Sequence, residues 1–123
     1  PVFGFGRKQA KDRAAMAAYD KARLEYEQKV LEVFREAADA VATYRHVREA
    51  AALKGALCDA AREYVRLAHL QYRAGSINYI DVLDAQRRYF DAQIGLSNAV
   101  RDEHLALVGL YKALGGGWQT GAE

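Results

Sequence analysis

No proline occurs between Val2 and Glu123. That absence constrains the chain more than any other feature. Proline is the residue that most reliably stops a helix, so only glycine is left to punctuate the sequence. Alanine, leucine, arginine and glutamate, all good helix formers, fill the space between. One stretch stands out as a strong break, Tyr72-Arg73-Ala74-Gly75-Ser76-Ile77-Asn78. Gly75 suits the left-handed position just past a helix C-terminus. Asn78 suits the N-cap of the next helix, with Asp81 three residues on as in a capping box. The chain therefore predicts a long antiparallel helical hairpin, all-α and coiled-coil-like.

The segments follow from this punctuation. Residues 1–6, Pro-Val-Phe-Gly-Phe-Gly, read as an extended strand stub, because proline and two glycines disfavour helix. Residues 7–73 read as one helix, about 100 Å long at the helical rise. Residues 74–78 form the turn, residues 79–114 the second helix, and residues 115–123 a tail that starts with Gly115-Gly116-Gly117. Gly55 is the weak point of the first helix, at a cost of about 1 kcal/mol relative to alanine. It is either a glycine tolerated at a close contact or a true break.

Apolar residues recur three and four apart, the spacing of one helix face. Val30, Phe34, Ala37, Val41 and Tyr44 do so, and Leu57, Ala61, Tyr64 and Ala68 continue the rhythm. On the second helix Ile80, Leu83, Phe90, Ile94, Leu105, Val108 and Tyr111 mark the expected apolar face. Much of the 51% hydrophobic content is alanine, which favours thin, closely packed helices over a thick core. Apolar surface left without a partner predicts self-association.

Composition excludes several function classes. The formal net charge is only +2, with 18 basic and 16 acidic residues interleaved, so no basic patch points to nucleic acid. No apolar run reaches 18 residues, the length of a transmembrane helix. The single cysteine, Cys58, reads as a small apolar filler. His46, His69 and His104 are scattered, and no Glu-x-x-His pair, phosphate loop or nucleophile motif occurs. An enzyme is not expected, and no cofactor or metal site is indicated.

Two features at the turn remain. Asp81 and Asp84 share a face in the first two turns of the second helix. Asp81 is accounted for by the helix dipole, Asp84 less well. Tyr64, Tyr72 and Tyr79 gather around the turn, either as simple packing or as hydrogen-bonding groups between hairpins.

Four segments, in order, resemble the TolC-type outer membrane factor family, the exit ducts of bacterial tripartite efflux pumps. They are Pro1-Val2-Phe3-Gly4-Phe5-Gly6-Arg7, Phe34-Arg35-Glu36-Ala37-Ala38-Asp39-Ala40, Tyr72-Arg73-Ala74-Gly75 with Tyr79-Ile80-Asp81-Val82-Leu83-Asp84-Ala85-Gln86-Arg87, and Leu110-Tyr111-Lys112-Ala113-Leu114-Gly115-Gly116-Gly117-Trp118. The resemblance implies the C-terminal part of the second of two repeats, within a homotrimeric α-barrel/β-barrel duct. It implies residence in the cell outer membrane with this part in the periplasm. The implied partners are a periplasmic adaptor at the helical tip and an inner-membrane transporter. The implied role is passive export of solutes, with Asp81, Asp84, Tyr72 and Gly75 at the pore gate. Ile77 stands where some members carry an arginine, so no salt-bridged latch carries over to that position. Phe5 replaces the first glycine of the usual pair. The rival reading is a soluble coiled-coil interaction module, which accounts for the helices but not for the tip or the terminal glycines.

Overall fold

The computed structural model describes residues 2–116. It contains helix α1, Val2–Arg73, helix α2, Tyr79–Tyr111, and a single π-turn, Lys112–Gly116. No strand occurs among the described residues, and none of their helices is long and apolar enough to cross a membrane. The chain divides into two units, residues 1–38 and residues 39–123. The first contributes only a stretch of α1. Its apolar side chains Met16, Tyr19, Leu24 and Leu31 are all exposed.

The second unit is an antiparallel helical hairpin. Contacts between its arms run in opposite directions along the two helices. His69 meets Gln86 at 3.3 Å near the turn, and Arg62 meets Tyr89 at 3.1 Å. Further up, a methyl group placed on Gly55 would touch Leu96 at 3.9 Å. The helix runs unbroken through Gly55, so this glycine sits at a contact and does not divide the helix.

The seam between the arms is made of small residues. Ala51, Cys58 and Ala68 on α1, and Val82, Ala85 and Ala92 on α2, are the buried hydrophobic residues. Val65 and Ile77 pack against the cluster of Ala68, Val82 and Ala85. On α2 the shielded seam positions are Val82, Ala85, Tyr89, Ala92, Leu96, Ala99, Glu103, Ala106 and Leu110, with Asp84 and Gly95 partly shielded beside them. The seam's alternating spacing of three and four averages 3.5 residues, the period that keeps a seam facing its partner as two helices wind left-handedly. Small side chains let the backbones approach closely, and Cys58 acts as one of these fillers.

This seam corrects the expected apolar face of α2. Ile80, Leu83, Phe90, Ile94, Leu105, Val108 and Tyr111 are all exposed. In the seven-residue repeat of the seam they fall on the face of α2 turned away from α1, and Leu105, three heptads on from Asp84, shares that residue's position. On α1 the expected face splits: Ala61 and Ala68 join the seam, while Leu57 and Tyr64 stay about half exposed, at 54% and 49%. Ranking residues by size picked the bulky stripe, whereas close helix approach selects the alanines.

The N-terminus is a second correction. Residues 1–6 were expected as an extended stub, yet α1 already begins at Val2. A strand needs a neighbour to take its backbone hydrogen bonds. With no strand among the described residues, helix continuation satisfies those groups locally despite Gly4 and Gly6. The turn, by contrast, lies at residues 74–78 as expected. At the far end α2 stops at Tyr111, short of the expected residue 114, and Gly115 takes φ +114 within the π-turn that follows. The expected tail beyond Gly116 lies outside the described residues.

Candidate functional site at the hairpin tip

The turn is built by backbone hydrogen bonds that only a glycine permits cheaply. Gly75 takes φ +78. Its N–H donates to the Tyr72 carbonyl at 3.0 Å, and the Ser76 N–H donates to the Gln71 carbonyl at 2.9 Å. Together they form the Schellman arrangement, which satisfies the last carbonyls of α1. Nothing lies within 4 Å of a methyl placed on Gly75, so the requirement is conformational and not one of space.

Two residues past the glycine, Ile77 drops onto the seam cluster and anchors the turn to the hairpin core. Position 77 is thus a packing position. Tyr72 and Tyr79 then face each other across the turn, with ring centroids 5.3 Å apart and planes tilted by 57°, within the favourable range for aromatic pairs. Both remain about half exposed. Tyr64 lies further up α1, beside the groove above Ala61 and Ala92, and does not join this pair.

Asp81 and Asp84 have different surroundings. Asp81 accepts the Asn78 backbone N–H at 3.2 Å, and its own N–H donates to the Asn78 carbonyl at 3.1 Å. It caps α2 and faces the positive end of the helix dipole. Asp84 instead accepts from Arg88 Nε at 2.9 Å, and Arg87 Nη2 lies 3.9 Å from its other oxygen. The hydrogen bond from Arg88 to the Asp84 carboxylate raises the guanidinium pKa, with the charge of Asp84 adding to it. Among the described residues no cation pairs with Asp81.

The arginine pairing of Asp84 was not part of the sequence reading, although the Asp84 to Arg88 spacing of four was there to be read. The cross-helix bonds Arg62–Tyr89 and His69–Gln86 had no such local signal, because they depend on hairpin register. What the tip offers chemically is a compact turn with an aromatic pair, one open carboxylate and one paired carboxylate. No nucleophile or acid–base pair is assembled there.

Residues 1–116 match the outer membrane efflux protein family. The chain belongs to that family. Outer membrane protein OprJ of Pseudomonas aeruginosa is 37% identical over 121 residues, 98% of this chain and 25% of the relative. The toluene efflux pump outer membrane protein TtgI of Pseudomonas putida is 36% identical over 120 residues, 98% of this chain and 26% of the relative. The cation efflux system protein CusC of Escherichia coli is 31% identical over 119 residues, 97% of this chain and 26% of the relative. The chain therefore spans about a quarter of the length of these relatives. No solved structure matches it.

Proposed function

We propose that this hairpin is the tip-bearing part of the periplasmic tunnel of an outer membrane export duct. The full protein passes solutes passively from the periplasm to the exterior and catalyses no reaction. It works as a homotrimer whose helical tips meet a periplasmic adaptor, while an inner-membrane transporter supplies the energy. Asp81, Asp84, Tyr72 and Gly75 form the pore gate. The observation that carries this reading is the family match over residues 1–116; it is supported by a turn in which Gly75 sets the reversal, Tyr72 faces Tyr79 and Asp81 and Asp84 follow in the first turns of α2.

The cargo is chosen elsewhere. Relatives named for toluene and for cations match this chain at 36% and 31% identity, so the hairpin is a part common to ducts of different cargo. The test is export from cells. A strain lacking its outer membrane efflux channels is given the full-length gene or a version with this hairpin deleted. The full-length gene restores efflux of a fluorescent dye and the deletion does not. A full-length protein that reaches the outer membrane yet restores no efflux of any tested solute would overturn the reading.

A further inference from the structure

On α2, Asp81, Asp84, Arg88, Asp91, Asn98 and Asp102 lie on one side of the seam at spacings of three and four, interrupted once where Gly95 takes the place between Asp91 and Asn98. This polar flank runs up from the tip and carries four carboxylates and one guanidinium. Arg88 is that guanidinium. It lies between Asp84, which it bonds at 2.9 Å, and Asp91, with which it borders the groove beside Tyr64. Lys54 borders the same groove from α1. Both partners of the Asp84–Arg88 pair are substantially exposed, at 43% and 68%, and an exposed pair of this kind adds little to stability. Its consequence is electrostatic: it cancels one of the two acidic charges at the tip and holds that carboxylate to the helix surface.

We propose that Arg88 is a positioning and charge-setting residue of the tip, which leaves Asp81 as the open carboxylate and makes Asp84 a compensated one. This rests on the reading that Asp84 lines the pore. The two aspartates are then unequal. Cations are drawn to Asp81, whereas the ion preference set at Asp84 depends on whether Arg88 is there to answer it. Loss of Arg88 leaves Asp84 only the longer 3.9 Å contact to Arg87, and loss of Asp84 leaves Arg88 without its partner.

The test is the reversal potential of the full-length protein in planar bilayers across a gradient of dilute potassium chloride, where screening is weakest. One unit charge about 8 Å from an ion in a water-like dielectric changes its local population about 2.4-fold. It acts oppositely on potassium and chloride, so each charge changes the permeability ratio about sixfold, a lower bound where three copies of a homotrimer change together. Arg88→Gln raises the potassium-to-chloride ratio by at least that factor, and Asp84→Asn lowers it comparably. The double variant returns near wild type, and Arg88→Lys stays near wild type. If Asp84→Asn lowers the ratio while Arg88→Gln leaves it unmoved, Arg88 is idle and the proposal fails alone. If neither variant moves it, the pore-lining reading of Asp84 fails as well.

Discussion

Arg62 Nε donates a hydrogen bond to the Tyr89 hydroxyl at 3.1 Å, and the same guanidinium lies 5.8 Å from the centre of the Tyr89 ring. The two residues sit on opposite arms, so the bond ties α1 to α2 at one register. A seam of alanines discriminates weakly between registers, because sliding by one heptad sets alanine against alanine again. A polar pair across the seam adds that discrimination. Tyr89→Phe keeps the ring and removes the hydroxyl. It is expected to lower the urea midpoint of the hairpin slightly, and Tyr89→Ala more. A double-mutant cycle with Arg62→Met reads the coupling.

Val82 is fully buried against Ala68 and Ala85, whereas Ile80 two residues earlier is 72% exposed. Val82→Ala is expected to cost about 2 kcal/mol. Ile80→Ala should change hairpin stability by less than about 0.5 kcal/mol. Urea denaturation of residues 39–116 checks both. The opposite order would place the seam on the bulky stripe.

The two glycines behave differently on substitution. Gly55→Ala meets only an ordinary contact with Leu96 at 3.9 Å and is expected to stabilise the helix by about 0.5–1 kcal/mol. Gly75→Ala forces a side chain into φ +78 and is expected to destabilise by about 1 kcal/mol, with Gly75→Asn milder. Thermal melts of the two variants should therefore move in opposite directions.

This contrast shows what was legible in the residues and what was not. The turn at 74–78 could be read because Gly75 and Asn78 are local conformational signals. Asp81, Asp84 and Tyr72 were singled out by motif resemblance, and their role at a gate is a proposal. The packed face of α2 was not, because bulk and burial part company when two helices approach closely: Phe90 and Ile94 look like core, yet Ala85 and Ala92 are the core. The start of α1 at Val2 was missed because strand formation depends on a neighbour outside the local sequence. The Arg62–Tyr89 bond was beyond reach until the register was known.

Leu83, Phe90 and Ile94 form an exposed apolar strip on α2. The hairpin in isolation is expected to self-associate through it. Light scattering across a concentration series should show a rising mass, which Phe90→Ser with Ile94→Ser suppresses without melting the helices. An unchanged monomer at all concentrations contradicts this.

The Glu63–Arg66 pair should hold until the pH falls below the ordinary glutamate range. Arg66 Nε donates to both Glu63 oxygens at 3.0 Å, and that bond holds the Glu63 pKa below the usual glutamate value. A depressed carboxylate contributes stability above its unfolded pKa and loses it as the pH falls through the folded one. The small contribution of this pair is therefore constant at neutral pH and fades only below the ordinary glutamate range. Glu63→Gln should flatten the acid limb of the stability profile slightly and leave the neutral region parallel to wild type.

The tip account is tested most directly by single-channel recording of the full-length protein in planar bilayers, with a multivalent cation added from the periplasmic side. Carboxylates lining a narrow pore attract cations. Wild type should be cation-selective and blocked by the multivalent ion, and the Asp81→Ala, Asp84→Ala double variant should lose much of both while its helices stay folded. Block and selectivity identical in the two proteins would show that these aspartates only start a helix and gate nothing.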